Sequence, residues 1–376
     1  MRTIGAEGPD TELAVILGVD THLHFHVAVA VDNLGRRLGE ASVPTTAKGY
    51  EKLLRWAEGI GSVRCAGVEG TSSYGAGLAR HLRACGIEVL EVERPKHRRR
   101  SSRRNRQKSD PSDAEAAARA VLAGEASGVP KSADGTVEMI RTLRAARRSA
   151  VKARTQAANQ LQGMRVTAPE QLRNRLRGLS TKELVSVAAR FRLGGNPSDV
   201  HGATRFALRS VARRYEVLSR EIEELEEHLD RLVGQAAPEL VSLPGIGTDN
   251  AATLLIVAGD NPQRLSNEAS FANLCGVSPI EASSGKVVRH RLNRGGNREA
   301  NRALYMTCLA RMRRDQRTKE YVARRTAEGK SKPEIIRCLK RYIAREVYRV
   351  LISCGARCSP TGLREAVHIA SGSSAA

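Results

Sequence analysis

The chain has 376 residues and a net charge of +22; that length exceeds what one core usually organises, so two or three domains are expected. The basic excess points to a polyanionic partner, and aromatic residues at only 3% argue against reading single strands by base stacking. No stretch approaches the roughly 20 apolar residues of a membrane span, Met1 to Leu13 hold no apolar signal core, and the seven cysteines form no CxxC pair, so a soluble, reduced, cytoplasmic protein is expected.

Taken in chain order, Ala14 to Val19 is a continuous apolar run, the pattern of a buried strand. Phe25 to Val31 and Arg37 to Val43 read as two more strands, with Asn33-Leu34-Gly35 as a turn between them. Gly49 to Ala57 has helical spacing, and Val63 to Val68 is a fourth strand. Ser72 and Ser73 can cap a helix that ends near Cys85, and Ile87 to Val92 is a fifth strand. Pro111 then suits the first position of a third helix, with Asp110 as its N-cap. Strand, strand, strand, helix, strand, helix, strand, helix is the element order of the ribonuclease H-like fold, which includes resolvases of the RuvC type.

In that order the first and fourth strands are parallel neighbours, so Asp20 and Glu69 leave the same sheet edge. Asp110 and Asp113 are three apart at a helix start and share a face. Four carboxylates in one cleft repel unless cations neutralise them. Mg²⁺, or Mn²⁺, fits hard oxygen ligands and phosphodiester chemistry. Alone, Asp-Pro-Ser-Asp is an ordinary helix start; it is the matching element order that favours the metal site. His22, His24 and His26 alternate after Asp20, a pattern better explained by a hairpin than by zinc, although one of them could touch a bound phosphate. From Arg94 to Lys108 nine of fifteen residues are Lys or Arg, and Arg98, Arg99, Arg100, Arg103, Arg104 and Lys108 are candidate nucleic-acid contacts beside Asp110. Gly70-Thr71-Ser72-Ser73 could hold a phosphate at a helix N-terminus.

After Gly128-Val129-Pro130 the pattern turns helical. Val137 to Met164 is Arg-rich, and Leu218, Ile222, Leu225, Leu229 and Leu232 repeat at coiled-coil steps. An antiparallel hairpin is expected, with the polar Pro169 to Ser198 stretch at its far end. Such a seam serves as a spacer or recruits a second chain, and the basic first helix could lie on nucleic acid. Leu243-Pro244-Gly245-Ile246-Gly247 before a helix over Asp249 to Val257 resembles a helix-hairpin-helix turn. Farther on, Ser283-Ser284-Gly285-Lys286 precedes Arg289, Arg291 and Arg294, and Gly295-Gly296-Asn297 opens another helix. A serine among guanidinium groups could attack phosphorus, although a Ser-Gly turn is the plainer account of this segment alone. Ser283 and Ser284 both fit; Ser284 adjoins Gly285 directly and is the choice. Lys286, Arg289, Arg291 and Arg294 are further candidate nucleic-acid contacts.

Gly-Val-Asp20-Thr-His, Val-Glu69-Gly-Thr and Lys-Ser-Asp110-Pro-Ser-Asp113-Ala, followed by Leu-Pro-Gly-Ile-Gly, Gly-Val-Ser-Pro, Ser-Ser-Gly and Arg-Gly-Gly-Asn-Arg, resemble the IS110/IS1111-type transposases, to which Piv-like DNA invertases are related. The resemblance covers about Ile16 to Glu125 and Leu240 to Leu351. It implies a DEDD metal site working with a serine that becomes joined to DNA. It further implies dimers or tetramers in which different protomers supply the two, double-stranded DNA at element ends and target as partner, and in part of the family a structured guide RNA. The expected fold class is α/β plus α. A RuvC-like domain (1–130) precedes a helical coiled-coil region (131–237), a mostly helical serine-bearing domain (238–360) and a tail (361–376) without structure. The expected activity is that of a DNA recombinase in the cytoplasm of a bacterium, at the nucleoid. Its rivals are a RuvC-like nuclease using metal-activated water, a Piv-like invertase, and a non-catalytic nucleic-acid-binding protein, which leaves four clustered acids unexplained.

Overall fold

The run from Ala14 is continuous in apolar residues because the strand it forms, β1 (Ala14–Thr21), is buried along its whole length. The computed structural model describes residues 13–92, 109–126, 128–193, 197–281, 290–291 and 293–358, with side chains as far as 355. β2 (Phe25–Val31) turns back antiparallel to β1, pairing Thr21 with His26, and β3 (Arg37–Pro44) pairs antiparallel outside it. Asp32 fixes the turn between them by accepting from the backbone N–H groups of Leu34 and Arg36.

The helix α1 (Ala47–Glu58) is capped by Thr46, whose hydroxyl accepts from Gly49 N–H. β4 (Ser62–Glu69) then runs parallel to β1, and after α2 (Ala76–Ala84) β5 (Glu88–Val92) runs parallel to β4. With α3 (Asp110–Leu122) the elements follow the expected order, and the sheet order β3-β2-β1-β4-β5 is consistent with a ribonuclease H-like arrangement.

Alternation divides the two faces of this sheet. Val15, Leu17, Val19, Ala66 and Val68 pack with Leu53 of α1 and Leu78 and Leu82 of α2. Ile16, Val27, Val29 and Val31 pack with Ala114, Ala117, Ala118 and Val121 of α3. Gly18 and Gly67 lie on this second face. A Cβ at Gly18 would stand 2.0 Å from the carbonyl oxygen of Ala114, and one at Gly67 would stand 2.9 Å from that of Ala117. Two glycines opposite an alanine stripe therefore let α3 rest directly on the strands.

The described chain divides into two compact units: residues up to 135 with 258–267, and 136–257 with the residues from 268 onward. In the first, Gly128 bridges Glu91 of β5, and Asn261, before a short 3₁₀ turn (Pro262–Arg264), donates to Pro130 O and accepts from Ser132 N–H, each at 3.0 Å.

The second unit is helical but for one small ladder. α4 (Thr136–Thr167) is followed by α5 (Glu170–Leu176) and α6 (Thr181–Ala189), then by α7 (Val200–Ala236). α4 and α7 lie antiparallel, as the pairs Arg147–Glu226 and Gln160–Arg214 fix at two levels. Within the polar Pro169 to Ser198 stretch, α5 and α6 are packed: Leu172, Leu176, Leu184, Val185 and Ala188 close a core with Leu161 of α4 and Leu208 of α7. Ile222, Leu229 and Leu232 of the expected seam are buried, and α4 lies along their helix. Arg144 pairs with Asp249 and Glu299, Arg148 with Glu299, and Arg141 with Glu138, so much of the basic charge of α4 is matched inside this unit.

Then come α8 (Pro238–Val241), α9 (Thr248–Ala258) and α10 (Glu268–Leu274). β6 (Ile280–Glu281) and β7 (His290–Arg291) pair antiparallel, ahead of α11 (Arg298–Arg314), α12 (Gln316–Ala327) and α13 (Lys332–Cys358). Arg311, buried in α11, donates through Nε to Pro244 O at 2.7 Å and pairs with Glu346 of α13, tying the Leu243–Gly247 turn to both helices. Cys65, Cys85, Cys275, Cys308 and Cys338 are free thiols; burial pushes Cys275 up to about 12 and Cys308 up to about 11. Among the described residues no helix is long and apolar enough to cross a membrane.

Candidate active site

Parallel pairing of Val19 with Val68 sets Asp20 beside Glu69 at the ends of β1 and β4. Both acids follow the alternation of Gly18 and Gly67 onto the α3 face, and both are buried. The buried stripe of α3, Ala114, Ala117, Ala118 and Val121, continues toward the helix start through Asp113 and Asp110. Asp20 and Glu69 thus leave adjacent strands on the face that α3 covers, and Asp110 and Asp113 stand in the first turn of that helix; of the four, Asp20 and Asp110 are brought together, beside His22. The close packing that the two glycines permit sets how near the helical pair comes to the strand pair.

Helix α3 corrects one local expectation. Its N-cap is Ser109, not Asp110; Asp110 is the first helical residue and Pro111 follows it. The backbone accounts for the change, because Ser109 O accepts from Ser112 and Asp113 N–H. Asp110 in the first turn still gains from the helix dipole. Instead of capping, its carboxylate faces a histidine of the β1–β2 hairpin. His22 Nε2 stands 3.2 Å from Asp20 Oδ2 and 3.4 Å from Asp110 Oδ2, and one ligand atom from each of the three residues lies within 4.8 Å of the others. These carboxylates and the imidazole are a donor set that suits a divalent cation.

The three alternating histidines part company. His24 is exposed, and His26 is fully buried on the opposite face, its ring stacked on Tyr50 at 5.8 Å. Burial, with His22 adding to it, pushes the His26 pKa below the ordinary imidazole value. The hairpin account therefore holds for His24 and His26. Only the register of the turn, closed by His22 N–H to Phe25 O at 3.1 Å, brings His22 to the acids. The cap expected from Ser72 and Ser73 is also corrected: α2 begins at Ala76 after Gly75, without a side-chain cap. Ser73 Oγ bonds Gly70 O instead, within a turn that places Gly70 at a φ of 60°. Thr21 Oγ1 donates to Glu69 O at 3.1 Å, joining the ends of the two acid-bearing strands.

Arg98, Arg99, Arg100, Arg103, Arg104 and Lys108 lie outside the described residues, as do Ser283, Ser284, Lys286 and Arg289. What is described is the base of the serine segment. β6 and β7 pair Ile280 with Arg291 and Glu281 with His290 on either side of it. Below them two glycine motifs meet backbone to backbone. A Cβ at Gly296 (φ 82°) would stand 2.6 Å from Gly276 N and 2.7 Å from the carbonyl oxygens of Asn273 and Leu274. Asn297 N–H donates to Leu274 O at 2.6 Å, and its side chain caps α11 by accepting from Glu299 and Ala300 N–H. Asn301 donates to the carbonyls of Cys275 and Gly276, and Lys340 in turn donates to Asn301. The Gly-Val-Ser-Pro and Arg-Gly-Gly-Asn-Arg motifs are thus one structural clasp.

Arg291 and Arg294 are exposed beside that clasp. Arg291 and His290 also line a cavity of about 670 Å³ with Arg325, Lys330, Arg337 and Arg341 from α12, α13 and the turn between them. Sequence reasoning missed the last four, which are distant in the chain and carry no local motif.

Residues 17–165 match an IS110-type DEDD transposase family, and residues 237–323 match the transposase IS116/IS110/IS902 family; together they take in more than half of the chain. A 43.6 kDa protein of insertion element IS110 from Streptomyces coelicolor is 34% identical over 106 residues, 28% of this chain and 26% of that protein. A 42 kDa protein of insertion element IS900 from Mycobacterium paratuberculosis is 26% identical over 103 residues, 27% of this chain and 26% of that protein. The chain therefore matches about a quarter of the length of each of these relatives.

Proposed function

The chain belongs to the IS110-type transposase family, and we propose that it cuts and rejoins DNA with Asp20, Glu69, Asp110 and Asp113 as a metal-binding tetrad and Ser284 as nucleophile. What supports this reading is the placement of the acids: Asp20 and Glu69 end adjacent parallel strands, Asp110 and Asp113 lie in the first turn of α3, and Asp20 and Asp110 both stand beside His22. So much negative charge at one sheet edge, in a chain of net charge +22, needs a cation to offset it.

Divalent ions held there supply Lewis-acid polarisation of a phosphodiester. The chain's own groups supply the remainder. The acids would hold those ions against the scissile phosphate, and the arginines around the β6–β7 ladder would offset charge that builds on the phosphate oxygens. Ser284 Oγ forms a bond to phosphorus as the bond to the departing DNA oxygen breaks, and that oxygen leaves as a hydroxyl with the serine proton. The phosphoserine ester keeps the bond energy, so attack by a DNA hydroxyl rejoins a strand without ATP. Double-stranded DNA at element ends and target is the substrate in this reading. A structured guide RNA and a second protomer belong to the same proposal, with the acids and the serine contributed by different copies.

Strand cleavage on end-labelled junction DNA, with RNA transcribed beside the gene and Mg²⁺ or Mn²⁺, tests the tetrad. Asp20→Ala and Glu69→Gln should each lower cleavage by at least about 100-fold while leaving DNA binding intact. Normal cleavage by Asp20→Ala would contradict the assignment.

A further inference from the structure

Within that metal-site reading, on which this inference rests, one residue stands closer to two of the acids than any role given it so far requires. His22 Nε2 lies 3.2 Å from Asp20 Oδ2 and 3.4 Å from Asp110 Oδ2. At such distances a neutral or charged imidazole would be expected to donate a hydrogen bond, yet Nε2 makes none and is shielded from solvent, although the ring as a whole is 35% exposed. The nitrogen is near both carboxylates without pointing an N–H along either. Both contacts are at ion-pair distance, and one ligand atom from each of the three residues lies within 4.8 Å of the others.

That spacing is what an ion between them would impose. Two ligands in adjacent positions around an ion with bonds of about 2.1 Å sit about 3 Å apart. The ring is held for the purpose: His22 N–H bonds Phe25 O, the His22 carbonyl accepts from Thr45 Oγ1, and the imidazole packs on Phe25 with ring centres 4.8 Å apart. The donor is also of a different kind from its neighbours. Mg²⁺ takes oxygen ligands and gives up water reluctantly, whereas imidazole nitrogen suits transition-metal ions.

We propose that His22 is a ligand of the ion held by Asp20 and Asp110, and that this nitrogen makes the site favour Mn²⁺ over Mg²⁺. His22 thereby sets the metal preference of the site.

The test uses the full chain without nucleic acid and reads binding directly. Loss of the free aqueous Mn²⁺ signal in electron paramagnetic resonance gives Mn²⁺ affinity, and competition gives that of Mg²⁺. Electron spin-echo modulation reports whether a nitrogen is bonded to the manganese. The wild-type protein should show nitrogen coupling and hold Mn²⁺ more tightly than Mg²⁺. His22→Ala should lose the coupling and at least about tenfold in Mn²⁺ affinity, with Mg²⁺ affinity much less affected. His22→Asn, which keeps the size of the residue but not the imidazole, should behave alike, with circular dichroism showing both variants folded. Nitrogen coupling that survives in His22→Ala, or a metal preference unchanged by either variant, would overturn the proposal. If Mn²⁺ binding is instead indifferent to Asp20→Ala as well, the metal-site reading itself fails, an outcome distinct from loss of the histidine's role alone.

Discussion

The acid edge and the base of the serine segment are held by opposite means. Asp20 and Glu69 are buried at the ends of two central strands, and α3 reaches them through glycine-on-alanine packing. The base of the serine segment instead rests on a ladder of two residue pairs and on a clasp of backbone hydrogen bonds around Gly276 and Gly296. The first arrangement suits a site that fixes charges at set distances, since sheet and helix positions do not drift. The second suits, under the proposed function, a segment that presents a nucleophile to bulky DNA. The difference teaches where each part is vulnerable: the acid edge through packing, the serine segment through backbone conformation.

The largest effect is expected where the packing is tightest. Gly18→Val would drive carbon atoms into Ala114 O and the Ala118 backbone, forcing α3 off the sheet. Urea denaturation should show a loss of about 3 kcal/mol or more, with metal binding gone in whatever protein still folds. A variant of wild-type stability would mean that α3 is not seated as described.

The clasp sharpens the comparison. Gly296→Ala must place a Cβ at 2.6 Å from Gly276 N on a backbone with φ of 82°. A loss of about 2 kcal/mol is expected, with serine-dependent DNA joining abolished while Mn²⁺ binding at the acids is retained. Loss of both functions together would contradict the separate holding of the two regions.

The smallest effect probes the sheet face opposite the acids. His26 is buried on Tyr50, and burial keeps its folded pKa below the ordinary 6.5, so the unfolded chain binds a proton that the folded chain refuses. Stability is therefore full above about pH 6.5 and falls as the pH drops below it. Melting curves between pH 7.5 and 5 should fall less for His26→Phe than for wild type, by no more than about 1 kcal/mol. Parallel curves would remove His26 from the acid response.

Much of the first unit was legible because its strands announce themselves. The apolar run into Asp20 and the Val-Glu69-Gly end put two acids at strand ends, and parallel pairing follows from the element order. The cap at Ser109 was misplaced by one residue because Ser and Asp are both good caps and only the backbone bonds decide. His22 was passed over because spacing cannot show which histidine of an alternating set a turn returns toward the helix. α5 is hidden by Arg173 and Arg175 between Leu172 and Leu176, and α6 by its shortness, although Leu184 and Ala188 keep a helical step. The joining of 258–267 to the first unit, through Asn261 and Pro130, is a long-range contact without local signature.

The most direct measurement is a trap for the covalent adduct. The purified protein would be mixed with Mg²⁺, end-labelled junction DNA and RNA transcribed beside the gene, then run on a denaturing gel. A slow, protease-sensitive labelled band, absent with Ser284→Ala and with Asp20→Ala, is the expected result. Cleavage without such a band, unchanged in Ser284→Ala and Ser283→Ala, would mean that water is the nucleophile and would contradict the role given to the serine.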